Sequence, residues 1–168
     1  MSRIITVDAH STFWRQLYGA GHHEVLASPK SNQYLRVAGR DDFDSGRGYE
    51  LMRPGSIVGV SLCVDCTTYL TDVDNRIEAR INDSVVFSAE VLVTGTGKFV
   101  AYATQAAGID TFDAGDFLSM TYDSDEVGVT VVGVIGVVEV EFDSGKVLDL
   151  GEEGYHRTAR LTNFGEAF

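Results

Sequence analysis

The chain has 168 residues, 44% of them hydrophobic, with eighteen glycines, two prolines and a formal net charge of −12. That length supports one substantial core, and the apolar content argues against a disordered chain. The acidic balance opposes contact with phosphate backbones, so nucleic acid is not an expected partner.

Taken from the start, MSRIITVDAH lacks a basic stretch followed by an apolar one, so no secretory leader is expected. Residues 1–46 read as an N-terminal extended arm. RIITV is expected to add a short strand. STFWRQLYGAGHHEVL holds the only Trp and has no sustained periodicity, and SNQYLRVAGR suggests another strand. DDFDSGRG closes the region as a polar link. The arm has too few apolar groups to bury a core alone, so it is expected to pack on a neighbour or on the rest of its own chain.

From Tyr49 the pattern becomes regular. SIVGVSLCV, NRIEARIN, SVVFSAEVLV, GKFVAYATQ and DFLSMTYD are separated by the turn clusters TDVDN, NDS, TGTG and DTFDAGD. NRIEARI alternates, with Ile77, Ala79 and Ile81 on one face and Arg76, Glu78 and Arg80 on the other. Closely spaced strands with no helical segment between them predict an all-β fold, an antiparallel sandwich or barrel over residues 47–143. Residues 144–168 read as a short C-terminal tail. Charge follows the same division: residues 54–143 carry three Lys or Arg against fifteen acids, while the flanking segments are close to neutral.

The last regular stretch, VGVTVVGVIGVVEVEF, has twelve uncharged residues from Val127 to Val138. A bilayer-spanning helix needs roughly 20, and β-branched residues favour strands, so no membrane span is expected. Val138, Val140 and Phe142 share one face, with Glu139 and Glu141 opposite. Upstream both parities are apolar: Val129, Val131 and Ile135 on one, Val132 and Val134 on the other. A strand apolar on both faces needs two covers. One is the opposite sheet; the other is a neighbouring subunit or the chain's own arm. Val129, Val131, Val132, Val134 and Ile135 are therefore the candidate subunit interface, with glycines permitting close approach or bulges.

The motifs that would carry chemistry are incomplete. Cys63-Val64-Asp65-Cys66 lacks two further metal ligands at suitable spacing, and strand positions three apart point to opposite faces, so two independent thiols are expected rather than a disulfide or a metal pair. His23-Glu24 has Ala27 where a zinc-protease helix needs its second His. In TGTGK, Leu92 and Phe99 stand where a phosphate loop needs Gly and Ser or Thr. Asp72-Val73-Asp74 has Ile77 at the sharp-turn position of a calcium loop. The turn carboxylates Asp110, Asp113, Asp116, Asp123, Asp125 and Glu126 are expected to cap backbone amides. No catalytic residue and no cofactor is assigned.

Residues 50–143 as a set resemble the jelly-roll modules of tailed-bacteriophage virion proteins, found on head decorations, head fibres and tail-fibre tips. The residues carrying the resemblance are GSIVGVSLCV, the hairpin RIEARINDSVVFSAEV, and TFDAGDFLSMTYDSDEVGVTVVGVIGVVEVEF. In the last, Phe112, Ala114, Gly115, Asp116 and Leu118 match a closing F-x-A-G-D-x-L turn, while Met120 replaces a smaller aliphatic. The layout also resembles C1q- and tumour-necrosis-factor-like trimers.

The resemblance implies a jelly-roll-like β-sandwich and a homotrimer. It further implies a non-enzymatic virion protein on the capsid surface, made in the bacterial host cytoplasm, that decorates or cements the head by contacting the major capsid protein or other virion proteins. Phe13, Trp14, Leu17 and Tyr18 of the arm are the expected capsid-docking residues. The alternative is a tail-fibre or receptor-binding tip recognising host glycans, with Tyr69 and Tyr102 as stacking platforms. A polysaccharide-cleaving enzyme would need a carboxylate pair that no spacing supports.

Overall fold

The computed structural model describes residues 14–22, 24–36, 48–125 and 127–143. These form β1 (Trp14–His22), β2 (Leu26–Ala27), β3 (Lys30–Tyr34), β4 (Tyr49–Glu50), β5 (Gly55–Tyr69), β6 (Val73–Ile81), β7 (Ser84–Val93), β8 (Gly97–Thr104), β9 (Asp110–Phe112), β10 (Phe117–Ser124) and β11 (Val129–Phe142), with no helix among the described residues.

The strands lie in two antiparallel sheets. One is six-stranded, ordered β1-β11-β5-β8, with β2 beside β11 and β9 beside β5. The other is five-stranded, ordered β3-β10-β6-β7, with β4 beside β10. The eight longer strands thus follow jelly-roll order, crossing between sheets at every connection but one. That exception is the β6–β7 hairpin, whose turn residues Asn82 and Asp83 both have positive φ, at 49° and 69°. Two consecutive left-handed residues make the turn whose twist matches the flanking strands, and Asn and Asp tolerate that conformation best.

Alternation supplies the core. Ile77, Ala79 and Ile81 of β6 face Leu62 and Val64 of β5, with Leu118, Met120 and Tyr122 of β10 and Val134, Val138 and Val140 of β11 completing the layer, all buried. At one end Phe112 meets Phe142 edge-on, ring centroids 5.9 Å apart. The buried Tyr122 hydroxyl donates to Asn75 Oδ1, so both polar groups are satisfied.

The sandwich begins earlier than the sequence pattern implies. Three of its strands lie inside the stretch expected to be a separate arm. β1 pairs with β11 without interruption from Trp14↔Phe142 to His22↔Val134. β3 pairs with β10. The reason the pattern is weak is visible in β1: its outward positions include Gly19 and Gly21, so small residues stand where alternation would show polar ones. The expectations for RIITV, for the DDFDSGR part of the polar link and for the tail 144–168 lie outside the described residues.

Candidate functional site

β11 explains its own double apolarity. Its pairing with β5 shifts register on either side of Val131, leaving Val132 unopposed. This bulge switches which parity faces inward. Val129 and Val131 point into the core before it; Val134, Gly136, Val138 and Val140 do so after it. Val129, Val131 and Val134 are therefore fully packed within their own chain, which corrects their assignment to a subunit interface. Val132 and Ile135 remain on the outside, Ile135 with 51% of its surface exposed.

The arm residues divide likewise. Phe13 lies outside the described residues. Trp14 opens β1 opposite Phe142. Tyr18 faces inward and stacks obliquely on Tyr49, centroids 4.9 Å apart, so it serves the sandwich rather than a docking contact. Burial pushes the pKa of the Tyr18 hydroxyl up. Leu17 faces outward and is 67% exposed.

Register then assembles a surface that single strands do not display. Across the six-stranded sheet run the rows Gly21–Ile135–Cys63–Val100 and Gly19–Val137–Ser61–Tyr102. A third row holds Leu17, Glu139, Gly59 and Thr104. Val100 and Tyr102 are 64% and 79% exposed. The result is an apolar outer face with a shallow groove of about 120 Å³ between Leu17, Gly59, Ser61, Tyr102, Val137 and Glu139. The alternation in GKFVAYAT, with Lys98, Val100, Tyr102 and Thr104 outward, was the available signal for the β8 part. Nothing in one strand's sequence places Val100 beside Cys63 and Ile135.

Part of the charge on this face is paired. Arg15 Nη1 lies 3.1 Å from Glu139 Oε1 and its Nε 3.1 Å from Glu141 Oε2. Asp65 stands directly across from Lys98 in the β5–β8 register.

The other outer face is polar and differently built. Glu78 is held between Arg76 and Arg80, at 3.2 and 3.0 Å; Arg76 also reaches Asp123 at 2.7 Å, and Arg80 Nε donates to Thr121 at 3.0 Å. The arginine stems cover the carboxylate, which is why Glu78 and Thr121 are buried on an outward face. Asp123, expected to cap a turn amide, accepts from the Ser124 amide at 3.1 Å but chiefly serves this network.

The remaining sequence candidates are placed as follows. Cys63 faces outward and Cys66 inward; both are free thiols, and burial pushes the Cys66 thiol pKa up. Asp116 accepts hydrogen bonds from the Asp113 amide and from Asn82 Nδ2, both at 2.7 Å, and Gly115 has φ 94°, so the turn works as its residue types imply. Tyr69 donates to Asp72 at 2.5 Å, which ties it to its own loop. Among the described residues no group of three or more His, Cys, Asp or Glu side chains is placed to hold a metal ion, and no helix is long and apolar enough to cross a membrane.

No family model matches the chain, and no curated protein matches it. Among solved structures it is similar to dimeric latent PorU from Porphyromonas gingivalis, with 10% identity and a TM-score of 0.39; the match covers 77% of this chain and 13% of that one. This chain spans a small part of that protein's length, and a likeness at that level carries no functional argument.

Proposed function

We propose that the protein is a non-enzymatic structural protein of a tailed-bacteriophage virion: a homotrimeric decoration or cement protein on the head surface that contacts the major capsid protein. The observation that carries the reading is the exposed, apolar outer face of a jelly-roll sandwich. Large exposed apolar patches mark association surfaces, and Arg15, held against Glu139 and Glu141, lowers the local repulsion between equally acidic copies. The resemblance of residues 50–143 to virion jelly rolls supplies the setting.

Polarity supports attachment at one pole. Trp14 and Phe142 are register partners, so the chain enters β1 and leaves β11 side by side. The attaching segment belongs before β1, in residues 1–13. Removing 1–46 would delete β1, β2 and β3 and destroy the sandwich, so the informative truncation removes 1–13 only. That variant is expected to keep a β-rich spectrum and lose binding to capsids stripped of this protein; undiminished binding would contradict attachment through this segment.

Gold-labelled antibody against the chain, applied to particles from the source lysate, tests the location. Label spread over heads supports decoration, and absence of label from all particles overturns the virion reading. Label at the tail tip would favour the second reading, a glycan-binding tip. One observation favours that reading: Tyr102 stands exposed beside Ser61, Thr104 and Glu139, an aromatic platform with polar neighbours. It predicts glycan-array binding that Tyr102→Ala abolishes.

A further inference from the structure

The outer face of the six-stranded sheet lies close to the point where the chain leaves that sheet. The Asp143 amide donates to the Pro54 carbonyl at 3.0 Å, which fixes the departure from β11 beside Trp14 and Phe142. Counting back along β11 from there, the outward residues are Glu141, Glu139, Val137 and Ile135. Two acids therefore come first and two apolar residues after them. The shallow groove lies against this series, lined also by Leu17, Tyr102, Gly59 and Ser61.

The sequence after Asp143 reads SGKVLDLG. Ser144-Gly145 is a turn signal. Beyond it Lys146, Leu148 and Leu150 share one parity, and Val147 and Asp149 the other. In a segment that doubles back over the sheet, one side thus offers a base followed by two leucines. That order complements the acids and apolar residues of β11. The distances agree as well. Val137 lies about 20 Å back from Asp143 along β11, and an extended segment from Asp143 to Leu150 covers about 23 Å, both at about 3.3 Å per residue. The segment before β1 starts from the same pole but suits the groove less, because behind Phe13 it offers Thr12, Ser11, His10 and Asp8 over the same reach.

We propose that residues 144–150 fold back onto the six-stranded sheet of their own chain, with Lys146 against Glu139 and Glu141 and with Leu148 and Leu150 in the groove between Leu17, Val137 and Tyr102. Burial of two leucine side chains on an apolar face drives the contact. Lys146 joins Arg15 at the two acids and sets the register. Gly59, having no side chain, leaves room beneath the returning segment. The contact is separate from the association reading and constrains it: another protein reaches this face only once the segment leaves.

Cys63 reports on the face. It is the next outward residue of β5 after Ser61 and is partly exposed, whereas Cys66 is buried. Its alkylation is followed in the full chain and in the variant Leu148→Lys with Leu150→Lys, across a wide range of protein concentration. Both substitutions fall outside the described sandwich, and a wild-type far-UV spectrum checks that it is intact. The variant is expected to react about fivefold faster or more at every concentration, the factor by which a marginal contact shifts the closed population. Lys146→Glu, which sets a third acid beside Glu139 and Glu141, should act in the same direction. A second measurement locates the contact. In a Cys63→Ser background, Ser61→Cys with Leu150→Cys should form a disulfide within one chain on oxidation, read by mass and electrophoretic mobility.

Equal alkylation rates in wild type and the leucine variant would overturn the proposal, as would absence of that disulfide. Protection of Cys63 that appears only as concentration rises, and that the variant keeps, would overturn it in favour of a second copy on the face. None of these outcomes bears on where the protein sits on a particle, which the gold label decides.

Discussion

Asp116 illustrates how a single turn residue acts. The hydrogen bond from the Asp113 amide, and then that from Asn82, hold its carboxyl below the ordinary value of 3.8. The folded state therefore favours the ionised form. The resulting stability is fully present above the ordinary carboxylate value and is lost as pH falls through the lower folded one. Asp116→Ala is expected to cost about 1 kcal/mol at neutral pH, moderated by solvent at the turn. It should also flatten the loss of stability below about pH 4. Urea unfolding at both pH values measures this; an unchanged acid limb would show that Asp116 does not contribute to it. Glycines in β11 differ as sharply. A Cβ on Gly136 would stand 1.9 Å from the Ile77 δ-methyl, whereas Gly133 has open space around it. Gly136→Ala should destabilise by about 1–3 kcal/mol through overpacking, while Gly133→Ala should stay within about 0.5 kcal/mol.

At the scale of elements, the bulge at Val132 decides which valines are structural. Val134→Ala removes fully buried methyl groups and is expected to cost about 2–3 kcal/mol. Val132→Thr changes a bulged, partly exposed position and should be near neutral, within about 0.5 kcal/mol. Equal losses in denaturant unfolding would refute the parity switch. β6 and β10 are joined on their outer side by the Arg76–Glu78–Arg80–Asp123 network, in which Glu78 serves both arginines. Glu78→Gln removes one of two carboxylate partners from each arginine, Arg76 keeping Asp123 and Arg80 keeping Asp83, and is expected to cost about 1–2 kcal/mol. A loss below about 0.5 kcal/mol would mean the network is worth no more than a surface pair.

Across the whole molecule, net charge and apolar surface oppose one another. Copies carrying −12 repel at a distance, while an exposed apolar face favours contact. Association is therefore expected to tighten as salt rises from about 0.05 to 0.5 M, because screening acts on the long-range repulsion and not on apolar burial. Sedimentation equilibrium across that range measures it, and weakening with salt would indicate that ion pairs hold the contact instead. Both ends of the described sandwich, Trp14 and Phe142, lie side by side at one pole.

The amino-acid sequence by itself determined the all-β class, the positions of β5 to β8, β10 and β11, and the inward residues of β6. It also determined the Asp116 turn and the separation of Cys63 from Cys66. Each is a local matter of two-residue periodicity or turn chemistry, which adjacent residues specify. Tertiary structure alone decided the rest. Alternation in β11 cannot reveal a bulge, because valine occupies both parities and only pairing with β5 shows where the register slips. β1 was illegible because its outward side is built from Gly19 and Gly21 beside Leu17, and it became a strand through long-range pairing with β11. The candidate site has the same origin. Leu17, Ile135, Cys63 and Val100 lie on four strands far apart in sequence, and an apolar face exists only once hydrogen-bonded register lays those strands side by side.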